Sequence, residues 1–295
     1  MGWLGGADLL AKQATLEAVF MAAMQNPDPK GVIARLASDI TIDTESVVLA
    51  WNDLIGTMRE WLGDRTIVNL QGRSITVTPR HWERSVGINK DHLQDDKLGL
   101  ASETMNGLAR VVQMDYRRKL VAKLMAGFTD LGCDGKAIFA TDHPYVDAIT
   151  GVAGTIDNLS ATNVSTALVD EAILYFDTLV SPDGSELYVE PDVAIVAPAQ
   201  RAAWEAILLS PTLTGGAANP YYHRLDLIVD PGMTTKHAII ACTTGPVKPA
   251  RLIKRKMAEV KFEEPFLRNE YLAGVDARHD AVLTSYQLMY GSTGT

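Results

Sequence analysis

The sequence predicts an α+β protein with about two domains. Three patterns support this class: one long amphipathic helix over residues 102–128, the two-residue alternation of β-strands over 66–88, and interleaved helices and strands after 165. The chain has 295 residues, of which 47% are hydrophobic and 21% are charged. Such a chain can bury a large core without disulfide bonds or a structural metal.

The composition excludes several functional classes. Lys and Arg total 27 against 36 Asp and Glu, and the net charge of −9 repels nucleic-acid phosphates and anionic lipid. Cys133 and Cys242 form no C-x-x-C motif and indicate a reducing compartment. The longest uncharged run, 207–222, is interrupted by Pro211 and Pro220 and cannot cross a membrane as a helix. We therefore expect neither a nucleic-acid reader nor a membrane protein.

The first 64 residues carry large aromatic side chains but little apolar surface of their own. Two short helical patterns are separated by a break at residues 26–29, which contains two prolines. Four of the five tryptophans lie in the first third of the chain: Trp3, Trp51, Trp61 and Trp82. Because large aromatic side chains bury against another surface, we expect this segment to dock either on the main domain or on another chain.

Residues 66–88 have the two-residue period of extended strands. The pattern predicts strands over 66–70, 74–78 and 82–88, with turns near 71–72 and 79–81. The alternation is only partly apolar, and a ribbon with so little apolar surface is unstable alone. We therefore expect it to project from the body or to lie on a neighbouring chain.

The strongest helical signal runs from Ser102, the expected N-cap, to Phe128. Apolar residues recur every three or four positions: Met105, Leu108, Val112, Tyr116, Leu120, Leu124 and Phe128. At about 1.5 Å per residue, such a helix spans roughly 40 Å. Asp115 precedes Lys119 by four residues, which predicts an ion pair on the solvent side.

The second half predicts alternating elements. Helices are expected over 168–179 and from Pro198, and strands over 193–196, 225–229, 238–241, 270–275 and 281–290. Asp276, Arg278 and Asp280 share one face of a strand and predict a salt-bridge ladder at a subunit contact. A basic cluster over 248–256 is interpreted as an intersubunit strand rather than as a nucleic-acid site, since no aromatic platform accompanies it.

Catalytic signatures are absent from the sequence. There is no dinucleotide or phosphate loop, no nucleophile elbow and no H-E-x-x-H pair. The alternative function that stays open is a metal-assisted hydrolase, since carboxylates and imidazoles can hold a divalent cation. Its residues would be His92, Asp95, Asp96, Asp134 and His143. We expect no catalytic, cofactor or metal site and no enzymatic activity.

Several motifs around the predicted long helix resemble a known family. They are MREWLGDR over 58–65, DDKLG over 95–99, Asp134-Gly135 with Phe139, and Asp142-His143-Pro144. In this order and spacing they resemble the major head subunit of Mu-like phages and prophages. The motif likeness runs from about Ser46 to Leu159, and beyond that it holds in element order only.

The resemblance implies the Hong Kong 97-type capsid fold. Residues 1–64 would form the N-terminal arm and 65–92 the extended E-loop hairpin. Residues 93–159 and 236–295 would form the peripheral domain with its long spine helix, and 160–235 the axial α/β domain. On this basis the strands after Lys236 are expected to return to the peripheral domain.

The resemblance also implies a structural role in assembly. The subunit would form pentamers and hexamers of an icosahedral head that encloses double-stranded DNA without specific contacts. Scaffold, protease, portal and decoration proteins would be separate chains, and the protein would reside in the virion after assembly in the bacterial cytoplasm. The candidate interface residues are Trp61, Arg65, Trp82, Arg84, Lys90, Asp276 and Arg278. Some relatives of this fold crosslink an E-loop lysine, but the expected loop tip here has none, so no covalent crosslink is expected.

Overall fold

The structure is a computed structural model that describes most of the chain. The described residues are 6–25, 31–51, 54, 73–90, 99–146, 152–181, 186–213, 215–233, 236–265 and 269–294. None of the helices in these ranges combines the length and apolar composition needed to cross a bilayer.

The described residues contain five α-helices, of which the one over 100–126 is by far the longest. The helices, in chain order, are α1 (Gly6–Met24), α2 (Val32–Leu36), α3 (Leu100–Ala126), α4 (Thr166–Asp177) and α5 (Arg201–Leu208), the last preceded by a 3₁₀ turn (Pro198–Gln200). Helix α3 begins earlier than predicted, at Leu100. Its N-cap is Gly99, not Ser102, because Gly99 takes a left-handed φ of 72° and its carbonyl accepts the Glu103 N–H at 3.0 Å.

The predicted apolar stripe of α3 is buried. Six of the seven stripe residues are at most 5% exposed: Met105, Leu108, Val112, Tyr116, Leu120 and Leu124. Phe128 lies beyond the end of the helix, which stops at Gly127, and its ring packs 4.5 Å from that of Phe139. The periodicity therefore identified the buried face correctly.

A four-stranded sheet packs against α3 in the order β1-β11-β12-β4. Its strands are β1 (Ala37–Thr41), β4 (Arg80–Asn89), β11 (Ala250–Glu263) and β12 (Glu270–Leu283). Strand β12 runs antiparallel to both neighbours, whereas β1 is parallel to β11. The basic cluster lies largely in β11, which pairs with β12 along one edge and with β1 along the first five residues of the other. Strand β1 covers only Ala250–Lys254 of β11, so within the described residues the same side of 255–263 carries no paired strand, and the interpretation as an intersubunit strand stays a prediction.

Burial alternates along β12, as the sequence predicts. Tyr271, Ala273, Val275, Ala277 and His279 are buried, and the residues between them are partly exposed. The partly exposed set includes Asp276, Arg278 and Asp280, so these three share one face.

His279 joins this sheet to the long helix through a polar contact. Its Nε2 lies 2.9 Å from Asp115 Oδ2, and its ring meets Tyr116 edge-on at 4.5 Å. Asp115 therefore faces β12. The predicted solvent-side pair with Lys119 is wrong, because the sheet covers this side of α3 and the Lys119 ammonium lies over the Trp82 ring.

The electrostatic environment keeps His279 neutral. Burial lowers the pKa of His279 below 6.5, and the hydrogen bond to Asp115 offsets this only in part. Among the described residues, Nδ1 has no hydrogen-bond partner. Protonation would therefore place an unsatisfied N–H in a buried site, which is unfavourable.

The opposite face of the sheet is partly covered by a two-stranded ribbon. Strand β2 (Val47–Ala50) pairs antiparallel with β3 (Ser74–Val77). Leu49 and Val77 pack with Ile42 against Ile253 and Val282 of the sheet. The small cluster buries one apolar residue of each ribbon strand, Leu49 and Val77, on this chain's own body, whereas Val48 is 65% exposed.

The predicted hairpin is therefore organised differently from expectation. Strand β3 pairs with β2, and β4 pairs with β12 in the four-stranded sheet. The expectation that both strands project or lie on a neighbour is wrong for 74–77 and 80–89, because their alternating apolar residues bury against the same chain. The predicted strand 66–70 lies outside the described residues, and the E-loop assignment of 65–92 stays a prediction.

A second sheet has five strands in the order β7-β13-β10-β8-β9. They are β7 (Leu159–Ser160), β8 (Val193–Val196), β9 (Asp226–Val229), β10 (Ala238–Ala241) and β13 (Met289–Ser292). Strands β10 and β13 were expected beside the long helix, but they pair with each other and, through β10, with β8. All four residues of each are buried, and a short apolar strand is stabilised where both faces are covered. Residues 236–295 therefore contribute strands to both sheets.

The segment after α3 is held by a buried acid–imidazole pair. Asp134 Oδ2 lies 2.6 Å from His143 Nδ1, and the His143 ring stacks on Tyr286 at 3.9 Å. Burial would raise the pKa of Asp134, but hydrogen bonds from His143 and from the Lys136 backbone N–H bring it below 3.8. The stability from this pair is therefore present above pH 3.8 and is lost as the pH falls further.

A short hairpin follows this pair in the chain. It consists of β5 (His143–Val146) and β6 (Ala153–Ile156).

The N-terminal helices dock on this chain's own body. Phe20 of α1 is fully buried, and the Gln113 side chain of α3 donates to the Ala23 carbonyl at 3.1 Å. Trp51 is buried and stacks on Tyr286 at 5.8 Å. Of the two docking alternatives that the sequence left open, the main domain is observed for the described part of the segment.

Substituting Leu120→Ala tests the packing of α3. The side chain is fully buried, so the cavity should lower the free energy of unfolding by about 2–5 kcal/mol. Val111→Ala on the same helix is the matched control, since Val111 is 45% exposed and should change stability by about 0.5 kcal/mol or less. Urea denaturation followed by circular dichroism measures both. Equal effects of the two variants would contradict the packing.

Acidification should destabilise the fold through His279. A folded-state pKa below 6.5 means that the unfolded chain takes up the proton first, so stability falls as the pH drops below 6.5. We expect a lower urea midpoint at pH 5.5 than at pH 7.5, and a smaller difference in His279→Gln, whose amide can still donate to Asp115. An unchanged pH dependence in that variant would exclude His279 as its source.

Candidate subunit interface

The described candidate interface residues lie on one side of the four-stranded sheet or at its edge. Trp82 and Arg84 are on β4, Lys90 follows β4, and Asp276 and Arg278 are on β12. The other two candidates, Trp61 and Arg65, lie outside the described residues.

Strand β4 forms one edge of the sheet. Within the described part of the chain, β12 is its sheet neighbour on one side and no strand pairs with the other. Arg84 is exposed in the middle of this ten-residue strand. An open edge presents unpaired N–H and C=O groups that another strand can bind. Sequence reasoning missed this edge because it treated 66–88 as a separate ribbon.

Trp82 is largely engaged within its own chain. Its indole Nε1 donates to the His279 carbonyl at 3.1 Å, and Lys119 Nζ lies 3.0 Å from the ring centroid. The cation over the ring face is a cation–π contact. The side chain remains partly exposed, so its role as an intersubunit anchor stays a prediction.

Asp276 lies in a charge network that crosses the sheet. Its Oδ2 accepts from Lys256 Nζ at 2.6 Å and lies 3.3 Å from His81 Nε2. The hydrogen bond from Lys256 lowers the pKa of Asp276, and the same bond raises the pKa of Lys256. The ladder predicted from the sequence therefore has partners in its own chain, because β11 and β4 flank β12.

Arg278 and Lys90 occupy two further positions around this face. Arg278 is opposite Lys256 on β11 and His81 on β4, so basic side chains flank it on both sides. Lys90 Nζ pairs with Glu264 Oε1 at 2.7 Å, and the Lys90 N–H donates to the Asn269 carbonyl at 3.2 Å. Lys90 thus ties the end of β4 to the connection between β11 and β12. Sequence reasoning did not identify His81 and Lys256 as members of this network. The two-residue period of β12 indicated only the face of β12 on which the network lies.

The residues of the alternative metal site do not form a ligand cluster. Asp134 and His143 are paired and their side chains are at most 2% exposed. His143 Nε2 faces the Ile138 carbonyl at 3.2 Å, so each ring nitrogen faces an oxygen acceptor and none is directed at a metal. His92, Asp95 and Asp96 lie outside the described residues, and those described contain no group of three potential ligands. The hydrolase alternative is not supported, and the pair acts as a structural link.

Comparisons with known proteins find relatives among phage head and capsid proteins. The family model of the Mu-like prophage major head subunit gpT matches residues 9–172. The major capsid protein of Escherichia phage Mu is 29% identical over 123 residues, which are 42% of this chain and 40% of the relative. The Mu-like prophage FluMu major head subunit of Haemophilus influenzae is 28% identical over 130 residues, 44% and 40% of the two chains. The match thus spans about two fifths of the curated relatives' length.

The likeness in structure extends over nearly the whole chain. A subunit from the procapsid of bacteriophage JBD30 has a TM-score of 0.64 and 20% sequence identity, with 98% of this chain and 76% of that chain covered. At this identity the comparison establishes the fold, and it confirms the predicted Hong Kong 97-type capsid architecture. Because the family match covers more than half of the sequence, the chain belongs to the Mu-like prophage major head subunit family.

Proposed function

We propose that this protein is the structural subunit of a phage head. It self-assembles into pentamers and hexamers of an icosahedral shell that encloses double-stranded DNA. The observation that carries the proposal is the capsid fold over nearly the full chain, together with the family match. The relatives named above are major head or capsid proteins of Mu-like phages.

The function is assembly rather than catalysis. The one acid–imidazole pair that the sequence offered as a catalytic candidate is buried, and both ring nitrogens face acceptors. The surface features described above are suited to binding another subunit. They are the open strand edge of β4, the partly exposed Trp82 and the charged sheet face around Asp276. Shell subunits meet several neighbours at once, so weak individual contacts add up through effective concentration.

The open edge of β4 is proposed as one subunit contact. A strand from a neighbouring copy would pair with it, with Arg84 and the exposed part of Trp82 beside the added strand. The charged face around Asp276 and Arg278 would lie next to this contact, with Lys90 at its end. Trp61 and Arg65 belong to the same proposed interface, supported by their place in the motif that resembles the family.

The partners and location follow from the same proposal. Scaffold, protease, portal and decoration functions would belong to separate chains, since the matched family is that of the head subunit. The net charge of −9 supports enclosure of DNA without specific contacts, because an acidic shell does not retain the polyanion. The protein would assemble in the host cytoplasm and reside in the virion.

Electron microscopy of the purified recombinant protein tests the function directly. We expect shells, tubes or isolated capsomers when the protein is concentrated or when the ionic strength is varied. Size-exclusion chromatography with light scattering supplies the mass of these species. A protein that remains monomeric under every assembly condition would contradict the proposal.

Substituting Arg84→Glu tests the β4 edge as an interface. Arg84 is exposed, so the free energy of unfolding should change by about 0.5 kcal/mol or less, while assembly should slow or stop because the charge at the contact is reversed. Arg110→Glu on α3 makes the same charge change at another exposed position and should assemble normally. Light scattering records the assembly rate. If Arg84→Glu assembles at the wild-type rate, this edge is not a subunit contact.

A further inference from the structure

A groove of about 390 Å³ opens between helix α4, the β5–β6 hairpin and strand β13. It does not overlap the charged sheet face or the β4 edge. Aromatic and acidic side chains share its lining with aliphatic ones. The lining residues are Tyr145, Thr155, Ile156, Asp157, Glu171, Leu174, Tyr175, Thr178, Leu179, Val180 and Tyr290.

Three tyrosines contribute aromatic surface to this groove. The rings of Tyr175 and Tyr290 lie 5.3 Å apart. The Tyr145 ring lies across the backbone of Gly154, where a Cβ would come within 2.5 Å of it. Burial raises the pKa of Tyr290 to about 12 and that of Tyr175 well above 10. The phenols of Tyr175 and Tyr290 therefore stay neutral at physiological pH, and all three rings contribute to the lining.

Two carboxylates add negative charge at the same place. The Glu171 oxygens accept from Ser160 Oγ at 2.7 Å and from Thr162 Oγ1 at 2.8 Å, so two hydroxyls fix the carboxylate in position. Asp157 is exposed, and its Oδ1 accepts from the Leu159 N–H at 3.0 Å. Within the described ranges, neither carboxylate forms an ion pair.

Nothing near this groove in sequence supplies a compensating cation. No Lys or Arg is among the lining residues. The segments 147–151 and 182–185, which follow closely after lining residues in the chain, also contain neither residue type. A site lined by two carboxylates and three tyrosine rings is complementary to a cation, and a planar guanidinium can both stack on a ring and bind a carboxylate with two hydrogen bonds.

We propose that this groove binds an arginine side chain of a second copy of this chain. The occupant is argued from charge complementarity and from the exposure of Leu174, which is 63% accessible at the groove and would be covered by the aliphatic stem of the arginine or its surroundings. The identity of the second copy rests on the proposed function, since a shell places each subunit against several others. The contact would be directional, with the arginine on one subunit and the groove on the next.

The groove can be tested on the unassembled protein, independently of shell formation. The probes are N-acetylarginine amide and its uncharged isostere, N-acetylcitrulline amide, titrated while the tyrosine ring resonances are followed by NMR. We expect the arginine compound to bind more tightly than the citrulline compound and to shift the rings of Tyr145, Tyr175 and Tyr290. Equal binding of the two compounds, or no binding, would overturn the proposed recognition of a cation.

Matched variants locate the binding. Asp157→Asn keeps the acceptor for the Leu159 N–H and should weaken arginine binding by about tenfold, as should Glu171→Gln. Asp177→Asn removes the same charge from the exposed end of α4 outside the lining and should bind as wild type. Thermal denaturation verifies that each variant is folded. Should Glu171→Gln unfold, Asp157→Asn alone decides the question, and wild-type binding by that variant would contradict the site.

An assembly assay decides whether the occupant is a second copy. Excess N-acetylarginine amide should slow assembly more than the citrulline compound does, and Asp157→Asn should assemble poorly although it is folded. Suppose that the arginine compound binds but does not slow assembly, and that Asp157→Asn assembles normally. The occupant is then not a second copy. If wild-type protein never assembles while the groove binds arginine, the proposed function fails and the cation site stands.

Discussion

The packing of the long helix α3 against the four-stranded sheet is the interaction on which the remaining structure depends. The apolar stripe of α3 meets the buried face of β12, and removal of this surface from water provides the main driving force for the arrangement. His279 and Asp115 place a hydrogen bond within this apolar contact. An apolar interface defines which faces meet, and a buried polar pair favours a single alignment of the helix over the sheet.

The same helix connects the two sheets. Arg117 Nε of α3 lies 2.5 Å from Asp230 Oδ2, just after β9, and both side chains are largely buried. Helix α2 forms a second connection, because Arg35 pairs with Asp192 at 3.0 Å and with Asp226 at 2.8 Å. Buried and partly buried ion pairs cost desolvation, so their value lies more in defining geometry than in adding stability. Together they hold the second sheet at a defined position relative to α3.

The two proposed contact surfaces use different chemistry. The β4 edge offers backbone hydrogen-bonding groups, whose recognition depends little on sequence. The groove beside α4 offers fixed charge and aromatic faces, which select a cationic side chain. A subunit that meets several copies of itself benefits from both, because backbone pairing supplies affinity while charge complementarity suppresses wrong arrangements.

Much of the fold was predictable from local patterns. The α3 stripe, the alternation of β12 and the all-apolar strands β8 and β10 follow from periods of 3.6 and two and from short apolar runs, which depend only on neighbouring residues. The family resemblance followed from motifs between 46 and 159, and the comparisons confirmed it. Strand partners were less predictable, because a strand sequence does not encode which sheet it joins.

The sequence by itself determined the class of the protein, the buried face of its long helix and the family to which it belongs. Only the tertiary structure decided that β4 joins β12, that β3 joins β2, that β10 and β13 join the second sheet, and that Asp134 and His143 form a structural pair. It also brought Tyr145, Asp157, Glu171 and Tyr290 to one groove across 145 positions of sequence. The physical reason is that periodicity reports the local environment of a residue, whereas strand pairing and site assembly minimise the free energy of the whole chain.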